Sequence, residues 1–236
     1  MEYYFTETPV IGKKIILLGD EHQHCSKVKR HKKGDIIQIL DGKGNQYLSE
    51  ISEIKRNETI LDIVETAFEN PEANRIIIAI SPTKNPSRLE WFVEKATEIG
   101  ATGLMFIQCE RTDKKSLKED RIKKIIISSI KQCGRKYLPE LYFLSSIQEI
   151  SNCIDANDFQ KYIAHCGKNE NHLIQITDSS KNQIVLIGPE GDFTAGEILW
   201  ALNNGFNPVS LGPNRLRTET AGIYSLVCLR MRNQNG

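Results

Sequence analysis

Two segments near the C-terminus hold residue types and spacings that could do chemistry: Gly188-Pro189-Glu190-Gly191 and the longer Leu211-Gly212-Pro213-Asn214-Arg215-Leu216-Arg217-Thr218-Glu219-Thr220-Ala221. Glycine permits close backbone approach or a positive φ, and proline rigidifies a turn. Each segment follows an apolar run, at 184–187 and 208–211, and each leads into a helix whose first amides point back at the loop. Taken alone, Gly-Pro-x-Gly fits a tight strand–helix turn equally well. The second loop is more demanding. Thr218 suits a helix N-cap and Glu219 suits the positive end of the helix dipole, so capping accounts for both without any function. Capping does not account for Arg217, a cation where the dipole disfavours one; this side chain is expected to face an anionic or electron-rich partner.

Such loops need a scaffold. From residue 75 onward strand and helix patterns alternate, with strands at 75–81, 104–108, 141–144, 162–165, 184–187 and 208–211, and helices at 87–99, 118–133, 147–154, 194–203 and 218–231. This alternation predicts a mostly parallel sheet with helices on both faces. Ligands of such sheets bind outside the C-terminal ends of the strands, where both loops fall. In the first helix Leu89, Phe92, Val93, Ala96 and Ile99 form one apolar stripe. Trp91 lies on another flank with Arg88, Lys95 and Glu98, a setting that fits a subunit contact or an RNA contact, and Lys95 and Glu98 can pair at i, i+3. The last helix, with Ile223, Tyr224, Val227, Cys228 and Met231, fits core alone or core with a dimer seam.

Residues 1–70 read differently. Short runs at 15–18, 35–40, 46–54 and 59–64 are strands, 22–30 is a short helix, and Asp41-Gly42-Lys43-Gly44-Asn45 is a hairpin turn rather than a phosphate loop. A small barrel is the natural closure. The polar stretch Phe68-Glu69-Asn70-Pro71-Glu72-Ala73-Asn74 then places a boundary, giving domains 1–70 and 71–236.

The net charge of +1 conceals an uneven distribution. Residues 1–70 carry ten Lys/Arg against twelve Asp/Glu, while 111–136 carry ten Lys/Arg against three acids, the excess that phosphate contacts need. A second basic run, Lys27-Val28-Lys29-Arg30-His31-Lys32-Lys33, supports nucleic-acid binding over a merely solvated helix face. Six cysteines without a Cys-x-x-Cys pair point to reduced thiols in a cytoplasmic protein and to no metal site. Neither a membrane span nor a secretory signal is expected. Absence of Gly-x-Gly-x-x-Gly and Gly-x-Ser-x-Gly disfavours a Rossmann dinucleotide site and a hydrolase elbow.

With these residues in hand, the chain resembles the RsmE-type family of 16S rRNA uridine-N3 methyltransferases, part of the knotted SPOUT superfamily. The likeness runs through His24, Lys27-Val28, Arg30, Lys33-Gly34-Asp35 and Asp41-Gly42-Lys43-Gly44. It continues through Lys84, Glu90, Lys95-Ala96-Thr97-Glu98-Ile99-Gly100, Glu110-Arg111, Gln132-Cys133-Gly134-Arg135 and Pro139-Glu140, and closes on the two glycine-bearing loops. Asp192 stands where that family usually has Gly, and Lys29 where an apolar residue is usual.

The resemblance implies a PUA-like RNA-binding β-barrel over 1–70 and a SPOUT-type knotted parallel sheet with helices on both faces over 71–236. It implies a homodimer that uses S-adenosyl-L-methionine (SAM) to methylate N3 of a uridine in the 16S rRNA decoding region, within the small ribosomal subunit or its late assembly particle. His165, Ile187, Gly188, Pro189, Glu190, Gly191, Leu211, Gly212, Leu216, Arg217 and Thr218 would then surround the cofactor. His24, Lys27, Arg30, Lys84, Arg88, Arg111 and Arg135 would meet RNA. Arg217 or Arg135 could stabilise a uridine anion, and Glu190 or Glu219 could accept its proton. A catalytically silent RNA-binding protein and a SPOUT enzyme acting on tRNA are the alternatives.

Overall fold

Alternating apolar residues and tight turns build the N-terminal part of the chain, as its strand-and-turn texture predicts. The computed structural model describes residues 2–113, 117–155, 158–167, 171–178 and 180–233, so Lys114 and Lys115 of the basic run lie outside the described residues. The chain divides into two units, one comprising Met1–Pro71 with Ile127–Leu138, the other Glu72–Ile126 with Pro139–Gly236.

In the first unit β1 (Tyr3–Phe5), β2 (Lys14–Leu18), β3 (Ile36–Leu40), β4 (Asn45–Ile54) and β5 (Glu58–Phe68) form one mixed sheet in the order β1-β3-β4-β5-β2. Bulges at Leu48/Ser49 and Ile51/Glu53 bend the long β4–β5 ladder, as extra residues in one strand do. Period-2 alternation turns Ile15, Leu17, Ile37, Ile39, Ile51 and Leu61 inward around Tyr4 and Cys25. The hairpin at Asp41–Asn45 forms as expected: Asp41 Oδ1 accepts the Lys43 N–H at 2.8 Å and the Asn45 N–H at 3.1 Å, while Gly42 and Gly44 take φ of +70° and +102°. The short helix starts earlier than predicted, α1 at Gly19–Gln23, and continues as a π-helical turn over His24–Val28. Strand β1 carries no alternation of its own and was not expected; it is set by parallel pairing with β3.

The second unit holds a six-stranded sheet, all of whose pairings are parallel, in the order β11-β9-β10-β6-β7-β8. Its strands are β6 (Ile76–Ile80), β7 (Gly103–Ile107), β8 (Glu140–Leu144), β9 (Phe159–Ala164), β10 (Asn182–Ile187) and β11 (Asn207–Val209). Every residue of β6 and β7 is buried, the signature of a sheet covered on both faces. Its helices are α2 (Pro86–Ile99), the start of α3 (Glu119–Cys133), whose residues from Ile127 onward belong to the first unit, α4 (Ile150–Cys153), α5 (Leu173–Ile176), α6 (Ala195–Asn203) and α7 (Thr218–Asn233). Ile77, Ala79, Met105, Ile163, Ile184 and Leu186 face one core layer, shared with Ala201 of α6. Across the sheet α7 packs on α2, β6 and β10. Each boundary matches the sequence reading to within a few residues, except that the short α5 was not anticipated. Lys95 Nζ and Glu98 Oε1 do pair, at 2.9 Å.

Helix α7 meets α2 tightly at Gly222, where an added Cβ would lie 2.6 Å from Phe92 Cε2 and 3.2 Å from Ile80 Cδ1. Phe92 is fully buried and cannot swing away. Alanine gains about 1 kcal/mol of helix propensity over glycine, but overpacking a rigid core costs about 1–3 kcal/mol. Gly222→Ala should therefore lower stability by roughly 1 kcal/mol on balance, read as a lower urea midpoint at unchanged m-value. A midpoint equal to or above wild type would show that the helices part freely.

Candidate active site

Three chain segments leave the sheet at one end, beyond the C-terminal ends of their strands. Ala164 pairs with Ile187 and Val209 pairs with Ala164, so β9, β10 and β11 end at the same level. The segments that follow them enclose a cavity of about 510 Å³, within the range of small-ligand clefts. Its wall includes His165, Ile187, Gly188, Pro189, Glu190, Leu211, Gly212, Leu216, Arg217 and Thr218, all singled out from sequence. Gly191, also singled out, is not among the lining residues. Sequence reasoning did not single out Cys166, Gly167, Asp192, Ser210, Asn214 and Arg215, which also line the cavity, as do Ala164, Val209, Pro213 and Ala221. Two signals were available: the basic residue two positions before Arg217, which pointed at Arg215, and the departure from glycine at Asp192.

Hydrogen bonds tie the loops to one another. Thr218 Oγ1, buried, donates to the Gly188 carbonyl at 3.1 Å and so joins the two glycine-bearing loops. Thr218 is thus the first residue of α7 and not its cap: Arg217 precedes the helix, and its carbonyl accepts the Ala221 N–H at 2.8 Å. Arg215 Nη2 donates to the Glu190 carbonyl at 2.8 Å, and Arg111 Nη1 donates to the Gly191 carbonyl at 2.8 Å. Asp192 adopts φ +62° and accepts the Cys166 N–H at 2.9 Å. Behind the first loop Thr194 and Glu197 form a capping box, and Glu197 Oε1 also accepts the Glu110 N–H at 2.9 Å.

The candidate proton acceptors differ sharply. Glu190 is exposed at the cavity, its Oε1 accepting the Lys84 N–H at 3.0 Å. Glu219 is 7% exposed and does not line the cavity; its Oε1 lies 3.7 Å from Arg88 Nε, and its buried Oε2 has no hydrogen-bond partner. Lys84 Nζ sits 3.5 Å from Asp113. Among the cations, Arg217 is exposed at the cavity, whereas Arg135 belongs to the first unit, as do His24, Lys27 and Arg30. His24 Nε2 meets Glu2 at 3.0 Å, and Lys27 and Arg30 are exposed. The cavity thiol is no ready nucleophile: partial desolvation, then the Asp192 carboxylate, raise the pKa of Cys166. Burial pushes Cys109, behind the loops, up to about 12.

Comparison with known proteins places these features in context. Residues 70–230 match the RNA methyltransferase domain family, and residues 17–64 match the RNA methyltransferase PUA domain. A ribosomal RNA small subunit methyltransferase E of Rickettsia conorii is 28% identical over 222 residues, covering 92% of this chain and 90% of that protein. A structure from Porphyromonas gingivalis, described as a probable rRNA-methyltransferase, superposes with TM-score 0.91 at 30% identity, covering 100% of this chain and 99% of that one. A Legionella pneumophila structure described as a methyltransferase in complex with its bound cofactor SAM gives TM-score 0.83 at 28% identity, covering 98% and 96%.

The Thr218–Gly188 bond yields a direct test. Thr218→Val keeps the shape but leaves a buried carbonyl without its donor, a loss of about 1–3 kcal/mol, whereas Thr218→Ser should stay close to wild type. Equal urea midpoints for Val and Ser variants would remove the bond from any structural role.

Proposed function

We propose that this chain, which belongs to the RNA methyltransferase family, methylates N3 of one uridine in the decoding region of 16S rRNA. At the coarser level it is a SAM-dependent rRNA methyltransferase. The observation that carries the reading is the cavity at the common end of β9, β10 and β11, walled by the two glycine-bearing loops with Arg217 and Glu190 exposed at it.

The cavity suits SAM chemically. Ile187, Val209, Leu211, Leu216 and Ala221 offer apolar surface for an adenine, while Glu190 brings a carboxylate to a ligand that carries sulfonium and ammonium charges. Strand-end backbone offers amides and carbonyls for polar edges. Bound SAM supplies an electrophilic methyl group on its sulfonium.

The rest of the chemistry falls to this chain. Uridine N3 carries a proton that must leave before or during attack. In our reading Arg217 stabilises the resulting anion, and Glu190, steadied by the Lys84 amide, accepts the proton. Burial and the Arg88 contact support a positioning role for Glu219 instead. The division into an RNA-binding part at 1–70 and a transferase at 71–236 belongs to this proposal, supported by the two family matches. So do RNA contacts through His24, Lys27, Arg30, Lys84, Arg88, Arg111 and Arg135. A trefoil knot is supported by the return of α7 from the edge strand β11 to β6 and β10. A homodimer is supported by exposed Trp91 on α2 and exposed Tyr224 and Met231 on α7. No helix among the described residues is long and apolar enough to cross a membrane, in keeping with the cytoplasmic setting that a small-subunit substrate implies.

Two experiments test this. Arg217→Ala should lower kcat by about 100-fold or more while keeping the wild-type unfolding midpoint, with a smaller loss of calorimetric affinity for S-adenosylhomocysteine; wild-type turnover would remove Arg217 from the chemistry. Mass spectrometry of rRNA from a deletion strain should show one 16S uridine without its N3 methyl, restored by the wild-type gene. Unchanged 16S rRNA, or a lesion in tRNA, would overturn the substrate.

A further inference from the structure

We infer that Asp192 is a positioning residue for the cofactor cavity, holding the Cys166–Gly167 wall against the glycine-bearing loop after β10. Its backbone lies in the left-handed region at φ +62°, where glycine fits without strain and other residues are disfavoured. Aspartate is among the few tolerated there because its short side chain can satisfy neighbouring backbone groups. Here it does so twice. Oδ1 accepts the N–H of Phe193, the next residue, at 2.9 Å, and Oδ2 accepts the N–H of Cys166 at 2.9 Å from a different loop.

The second bond bridges 26 positions in sequence and joins the ends of two neighbouring parallel strands. The Gly167 N–H bonds to His165 Nδ1 at 3.0 Å, inside its own segment, while the Asp192 carboxylate reaches across and ties this segment to the loop beside it. Asp192, Cys166 and Gly167 all line the cavity. Arg215 fastens the third segment to the same loop through the Glu190 carbonyl. The wall is therefore closed by side-chain ties, one of which depends on a residue that local backbone geometry alone would make glycine. A wall held before the ligand arrives lowers the ordering cost of binding and leaves the transfer step untouched.

This inference rests on the cavity being the SAM site, and the experiment separates the two. Wild type, Asp192→Gly and Asp192→Asn are compared by calorimetric titration with S-adenosylhomocysteine, by steady-state KM and kcat, and by amide exchange of Cys166. Asp192→Gly keeps the left-handed backbone and removes both bonds. Its Kd and its KM for SAM should rise about tenfold with kcat within twofold, and the Cys166 amide should exchange faster. Asp192→Asn accepts the same φ and keeps one acceptor oxygen, so it should fall between the two. Wild type without affinity for S-adenosylhomocysteine would overturn the cofactor reading and this inference together. Wild-type affinity in Asp192→Gly, or a loss confined to kcat, would overturn the inference alone.

Discussion

With Ala164 opposite Ile187 and Val209 opposite Ala164, three parallel strands end at one level, and each must hand its chain to a loop on the same side of the sheet. Nothing in any one loop would otherwise bring residues 165–167, 188–193 and 210–217 together. The register is enforced by burial: β10 is buried from Gln183 to Ile187, and a one-residue slip would exchange the residues that face the two core layers. The cavity is thus a consequence of sheet register. Its lining chemistry is then whatever those three loops carry.

Loops at strand ends also carry backbone groups with no ladder partner, and these must be satisfied. Here side chains from elsewhere in the same unit meet the need. Thr218 serves the Gly188 carbonyl, Arg215 the Glu190 carbonyl, Arg111 the Gly191 carbonyl, and Asp192 the Cys166 amide. Each bond contributes only about 1 kcal/mol net, but together they tie the three loops to one another. Arg111 also shows that a cation near a proposed RNA surface can have structural work of its own.

The first unit solves a different problem. A small sheet gains limited burial, so its polar groups are arranged to cost little. Glu21 accepts the Phe5 N–H and pairs with Lys131, and buried His22 meets the Thr59 hydroxyl at 2.8 Å. Lys27 and Arg30 stay exposed, with Arg30 displayed from a left-handed backbone at φ +55°.

Sequence alone determined the elements and the loops that matter, because both are written in local pattern. Apolar runs alternating with helical patterns marked every strand of the second unit, turn chemistry marked the Asp41–Asn45 hairpin, and Gly-Pro pairs after apolar runs marked the two principal walls. Arg217 stood out because a cation at a helix start conflicts with the dipole. Tertiary structure decided the rest. Only parallel register could reveal that Cys166 and Gly167 face the glycine-bearing loops, or that Tyr3–Phe5 is a strand paired with Ile36–Leu40. It also turned Glu219 toward Arg88, left Glu190 at the cavity and gave the Thr218 hydroxyl a carbonyl thirty residues away instead of a cap. Those outcomes depend on contacts between residues far apart in the chain, and such contacts leave no trace in spacing or composition.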